Sequence, residues 1–114
     1  MKLTDFAIKQ VAELTKDELV GSKWVDFFNS FGARDIYDDL GLPDISKKNK
    51  QRPSKKEYIF KRLYDFNNTH KLQEIILRVA SLRDGLCKSI NDIIIPEKYK
   101  IELVDGQFIM MGDV

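Results

Sequence analysis

The sequence predicts a mainly α fold, a compact bundle of five or six short helices closed by a C-terminal β-hairpin. Three observations predict it. Apolar residues recur at three- and four-residue spacing in several separate stretches, the mark of amphipathic helices. After Pro96 the period changes to two, where Tyr99, Ile101 and Leu103 alternate with Lys100 and Glu102 and run into Asp105-Gly106. A chain of 114 residues with 43% hydrophobic and 32% charged content can build one modest core. Residues 1–114 are therefore read as a single domain, and with the hairpin so near Val114 the chain reads either as a full protein or as a module of a longer one. Helices followed by a terminal hairpin are also the raw material of a winged-helix variant.

The first helix follows from Leu3, Phe6, Ala7, Val11 and Leu14, with Thr4 as N-cap. Residues 16–21 read as a linker. Ser22 caps a second helix, in which Trp24, Phe27, Phe28 and Phe31 share one face and Gly32 ends the run. Residues 34–40 read as a short third helix with Ile36, Tyr37 and Leu40 inward, stopped by Gly41 and Pro43. Residues 44–53 are polar and basic without an apolar period, so an exposed loop is expected. Ser54-Lys55-Lys56-Glu57 matches a capping box and starts the fourth helix, with Ile59, Phe60, Leu63, Tyr64 and Phe66 inward and Asn67-Asn68 at its close. Thr69 begins the fifth, where Leu72, Ile75, Ile76, Val79 and Leu82 make one stripe. So short a connection makes these two helices antiparallel neighbours. A sixth helix, Leu86–Ile94, is suggested by Leu86, Ile90, Ile93 and Ile94. In the hairpin, a type I′ turn at Asp105-Gly106 would set Leu103 opposite Phe108 and Ile101 opposite Met110. That face must lie on the helices, because an isolated hairpin is marginal.

The net charge of +1 conceals segregation. Residues 1–45 carry −4, residues 46–83 carry +8 and residues 84–114 carry −3. Such polarity can attract a polyanion to one surface or copies of the chain head to tail. No long apolar run suggests a membrane segment or a signal peptide, and Cys87 is the single cysteine, so no internal disulfide forms. The expected location is the cytoplasm.

Catalytic and metal chemistry find little support in the residues. One cysteine and one histidine, Cys87 and His70, fall short of a zinc site, and nothing local pairs them as nucleophile and base. Asp35, Asp38, Asp39 and Asp44 form an acidic cluster beside Arg34, which reads more simply as helix-start acids than as acid–base or Mg²⁺ ligands. No phosphate-binding glycine loop occurs. No catalytic residue, cofactor or metal is therefore assigned. The aromatic stripe of the second helix reads as core. The outer hairpin face keeps Val104, Ile109 and Met111 among polar neighbours, which suits contact with another domain or subunit. The remaining candidate is basic. Lys47, Lys48, Lys50, Arg52, Lys55, Lys56, Lys61 and Arg62 fall within one short segment opposed by Glu57 alone. They read either as solvated charge or, with Tyr58 stacking among them, as a protein- or nucleic-acid-contacting surface. Against a winged-helix reading, the helix before the hairpin has Lys88 as its single cation.

The order of Phe27-Phe28-Asn29-Ser30-Phe31-Gly32-Ala33-Arg34-Asp35-Ile36-Tyr37-Asp38-Asp39-Leu40-Gly41, then Ser54-Lys55-Lys56-Glu57-Tyr58-Ile59 and the Asp-Gly hairpin, resembles the small helical modules found beside bacterial abortive-infection and other phage-defence proteins. The resemblance implies an accessory domain that positions, oligomerises or regulates an effector lying elsewhere, and it carries no catalytic residue onto this chain. The expected function is thus a non-enzymatic domain for protein contact or self-association, with nucleic-acid binding through residues 47–62 as the alternative.

Overall fold

The computed structural model describes residues 1–38, 41–43 and 52–112. Among these, five α-helices precede a two-stranded antiparallel hairpin: α1 (Asp5–Thr15), α2 (Gly21–Asn29), α3 (Lys55–Phe66), α4 (His70–Ala80), α5 (Leu86–Ile94), a short 3₁₀ turn (Ile95–Glu97), β1 (Tyr99–Val104) and β2 (Gln107–Gly112). None of the described helices is long and apolar enough to cross a membrane.

Two of the expected caps act where the sequence places them. Thr4 accepts from the Ala7 N–H at the start of α1, and Ser54 and Glu57 complete both halves of the capping box on α3. The α2 stripe is core: Trp24 stacks on Phe28 at 5.9 Å, Phe27 meets Phe28 edge-on at 5.1 Å, and Phe28 meets Tyr58 of α3 edge-on at 5.8 Å. Gly32, at φ +112°, turns the chain out of α2, and the Lys71 ammonium of α4 donates to the Phe31 carbonyl there at 3.0 Å. In α4 the buried set is Leu72, Ile75, Ile76, Val79 and Ala80, and in α5 it is Leu86, Ile90 and Ile94.

Three asparagines tie helices to chain outside them, two to irregular segments and one to β1. Each uses its amide oxygen and nitrogen together to bracket one residue's backbone, as a neighbouring strand would. Asn67, the C-cap of α3, accepts from the Leu3 N–H at 2.9 Å and donates to the Leu3 carbonyl at 2.8 Å. Asn29 does the same to Asp35 at 2.9 and 3.0 Å, and Asn91 to Ile101 at 2.7 and 3.0 Å. Both polar groups of each peptide unit are satisfied where no secondary-structure ladder reaches them.

Four sequence expectations are corrected. Among the described residues the third helix does not form: residues 33–37 run without helical structure into an isolated bridge between Asp38 and Gly41. Asn29 holds the Asp35 N–H and carbonyl, so that residue has no backbone group left for a helix. Ile36 is consequently 76% exposed and Tyr37 is also outside the core, while Leu42 is buried instead. On α1, Phe6 is exposed and the inward face is Ala7, Ile8, Val11, Ala12 and Thr15. On α3, Tyr64 is exposed, and Tyr58 joins Ile59 and Leu63 in the core. The second helix starts at Gly21 with Val20 as N-cap, two residues ahead of the expected cap Ser22, whose side chain makes no cap hydrogen bond. The loop expectation for 44–51, and the inward placement of Leu40, lie outside the described residues.

Candidate interaction surface

The basic segment was the first candidate. Lys47, Lys48 and Lys50 lie outside the described residues. Every other cation proposed there meets a carboxylate. Arg52 pairs with Asp38 at 3.0 Å and donates to the Leu42 carbonyl at 3.2 Å. Lys55 pairs with Asp17 at 3.2 Å, Lys56 with Glu13 at 3.1 Å, and Lys61 with Asp65 one turn along α3. Arg62 reaches Asp35 through Nε at 2.8 Å and through Nη2, and Asp65 through Nη1 at 2.7 Å. Four of these partners, Glu13, Asp17, Asp35 and Asp38, come from the acidic first third of the chain. Four described cations of the basic segment thus meet carboxylates of the acidic first third within one molecule.

Tyr58 is the clear displacement from its expected place. It is 0% exposed, so it cannot stack on a ligand. Its hydroxyl donates to Asp35 Oδ2, and the Arg62 guanidinium lies 5.8 Å from its ring centroid. Burial drives the Asp35 carboxyl up, but the Arg62 and Tyr58 donors outweigh it and hold the carboxyl below its ordinary value. The Tyr58 hydroxyl is driven up by burial and by the Asp35 charge, so it stays a donor. This cluster fastens the 33–38 strap to α3. Asp38 is spent on Arg52, and Asp39 and Asp44 lie outside the described residues.

Among the described residues no group of three or more His, Cys, Asp and Glu side chains is placed to hold a metal ion. Cys87 is partly buried, and burial drives its thiol up, away from the nucleophilic thiolate.

The hairpin offers a different surface. Asp105 (φ +51°) and Gly106 (φ +79°) both take the positive angles of a type I′ turn. Pairing follows the expected register, Ile101 opposite Met110 and Leu103 opposite Phe108. Ile101 and Met110 are buried against the helices, but Leu103, nearer the turn, overhangs them and is exposed. The opposite face carries Lys100, Glu102 and Val104 on β1 and Gln107, Ile109 and Met111 on β2. Lys100 and Glu102 pair with each other at 3.5 Å. The apolar members, Val104, Ile109 and Met111, are 41%, 39% and 48% exposed, and Ile95 is 49% exposed. Ile95, Lys98, Tyr99, Lys100, Met111 and Gly112 line an open cleft of about 420 Å³ that joins this face to the end of α5. Sequence reading found Val104, Ile109 and Met111 but missed Ile95, whose place before Pro96 looked like a helix end.

The two strand edges are unlike. Asn91 takes both backbone groups of Ile101, so those groups point away from β2. By alternation, the ladder bonds run through Lys100, Glu102 and Val104, and the N–H and carbonyl groups of Phe108, Met110 and Gly112 point outward on the β2 side. No described residue bonds to them.

Fold and surface together describe a small helical fold that presents a β-hairpin with one open edge and a mixed outer face, in which Val104, Ile109 and Met111 stand among Lys100, Glu102 and Gln107. Compared with protein-family models, curated proteins and solved structures, the chain matches none.

Proposed function

We propose that the chain is a non-enzymatic interaction module that associates with a protein surface, foremost its own copy, through the outer hairpin face. The observation that carries this reading is the exposed row of Val104, Ile109 and Met111 continuous with Ile95. Apolar side chains scattered singly need no explanation, and the grouping of these on one sheet face beside a shallow cleft supports a contact there. An accessory role of this kind is also what the resemblance to phage-defence modules implies. The nucleic-acid alternative is less favoured, because Arg52, Lys55, Lys56, Lys61 and Arg62 would have to exchange carboxylate partners for phosphates. Its winged-helix form would ask α5 to read a groove, yet α5 buries Leu86, Ile90 and Ile94 and spends Asn91 on β1.

Sedimentation velocity across a concentration series tests the reading. The wild type should show a concentration-dependent dimer, and the Ile109→Lys/Met111→Lys variant should stay monomeric with an unchanged circular dichroism spectrum, since both positions are exposed. Equal association in the two proteins, or a wild-type monomer throughout, would remove it.

A further inference from the structure

The β2 edge allows a definite arrangement for that association. Edge strands are templates for pairing with another chain, and proteins usually blunt them with charge, proline, a bulge or a covering element. The β1 edge is treated in that way: Lys100 and Glu102 lie on the strand, and Asn91 occupies the groups of Ile101. β2, Gln107–Gly112, has no charged residue and no proline, and its register with β1 is unbroken by a bulge.

Resting on the self-association reading, the geometry points to antiparallel pairing of β2 with β2 of a second copy, which would make a four-stranded sheet with a twofold axis at Met110. The register follows from which groups point outward. Phe108, Met110 and Gly112 are equally spaced with Met110 in the middle. If Met110 faces its own counterpart, Phe108 of one chain faces Gly112 of the other, and every outward N–H and carbonyl of the three residues gains a ladder partner. A slip of two residues in either direction leaves some of them unpaired. On the exposed face the same register sets Ile109 opposite Met111 of the second copy, so the two partly exposed side chains cover each other across the new seam.

A second copy suits this edge for reasons of charge. A charged peptide would find no counter-charge on β2, whereas an uncharged strand meets its own copy without repulsion, and the whole chain is nearly neutral at +1. The contact is small beside the roughly 1,600 Å² of a stable complex, so the dimer belongs to the weak class that forms as concentration rises.

Cysteine pairing reads the register directly. In a Cys87→Ala background, which removes the one native cysteine, Ile109→Cys and Met111→Cys proteins are prepared separately and oxidised alone and mixed. Residues opposite each other at such a position have Cα atoms about 4.5 Å apart, within disulfide reach. The mixture should give a reducible cross-linked dimer in several-fold excess over either protein alone. Cross-linking of Ile109→Cys alone or Met111→Cys alone to the same extent would place the axis elsewhere and overturn the register. Absence of any cross-link from the mixture, with wild type dimeric and the double-lysine variant monomeric, would overturn edge pairing while the hairpin-face reading stands. A wild-type monomer at all concentrations would overturn both.

Discussion

At the residue scale, Asp35 shows how one carboxylate orders a stretch of chain that has no secondary structure. Its side chain is 6% exposed and that of Arg62 is 17% exposed, the least solvated of the described ion pairs, and Tyr58 supplies a further donor from the core side. Removing one partner of such a pair leaves the other charge poorly compensated, although Arg62 would keep Asp65. Asp35→Asn should therefore lower unfolding free energy at neutral pH by about 2–3 kcal/mol, measured by urea denaturation. The pH dependence has a definite sign. A carboxyl held below its ordinary value in the folded state contributes stability that is complete above the unfolded value, about 3.9, and is lost as pH falls through the folded value. The gap between wild type and Asp35→Asn should accordingly shrink on acidification below about pH 4, and a gap of constant size would refute the assignment. None of this was visible along the chain. Tyr58, set between Glu57 and Lys61, looks like a surface aromatic until the strap that covers it is seen to be non-helical.

At the scale of elements, legibility followed the range of the forces involved. The α3 capping box, the α4 stripe, both ends of α5 and the hairpin register were all readable, because each is fixed by residues a few positions apart. Residues 34–38 were misread because Asn29 and Arg62, both outside that window, hold Asp35 in place. The inward face of α1 was misjudged for a related reason, since Phe6 and Ile8 fit the apolar pattern equally and packing against other elements chose Ile8. Asn91 also acts beyond the reach of a local pattern, ten residues from its partner. It docks the hairpin on α5 by accepting from the Ile101 N–H and donating to the Ile101 carbonyl. Asn91→Asp keeps the acceptor, loses the donor and sets a carboxylate against a carbonyl oxygen, which should cost about 1–3 kcal/mol. Hydrogen exchange would then report faster opening of β1 amides while those of α4 keep their protection; equal loss across both would mean that the hairpin has no separate hold on α5.

For the whole molecule, the question raised by the charge blocks is where their field goes. A chain with +8 between −4 and −3 could associate head to tail through that polarity, and such association would weaken steeply with salt. Folding changes the expectation, since Lys55, Lys56, Arg52 and Arg62 already face Asp17, Glu13, Asp38 and Asp35 within the same chain. What β2 offers a second copy is apolar area and backbone hydrogen-bonding groups, neither of which is screened by ions. For the proposed hairpin dimer the constant should therefore change by less than about threefold between 50 and 500 mM NaCl, because screening acts on exposed charges and would leave an apolar seam untouched. Duplex DNA added at 50 mM NaCl should leave the sedimentation of the protein unaltered. If binding does occur, and log affinity falls with log salt at a slope near −0.9 for each phosphate neutralised, the cations of residues 47–62 are reaching phosphates after all. Charge reversal at Lys55 and Lys56 separates the cases: it should leave a hairpin-borne dimer intact, and it would abolish both a head-to-tail assembly and a phosphate-bound one.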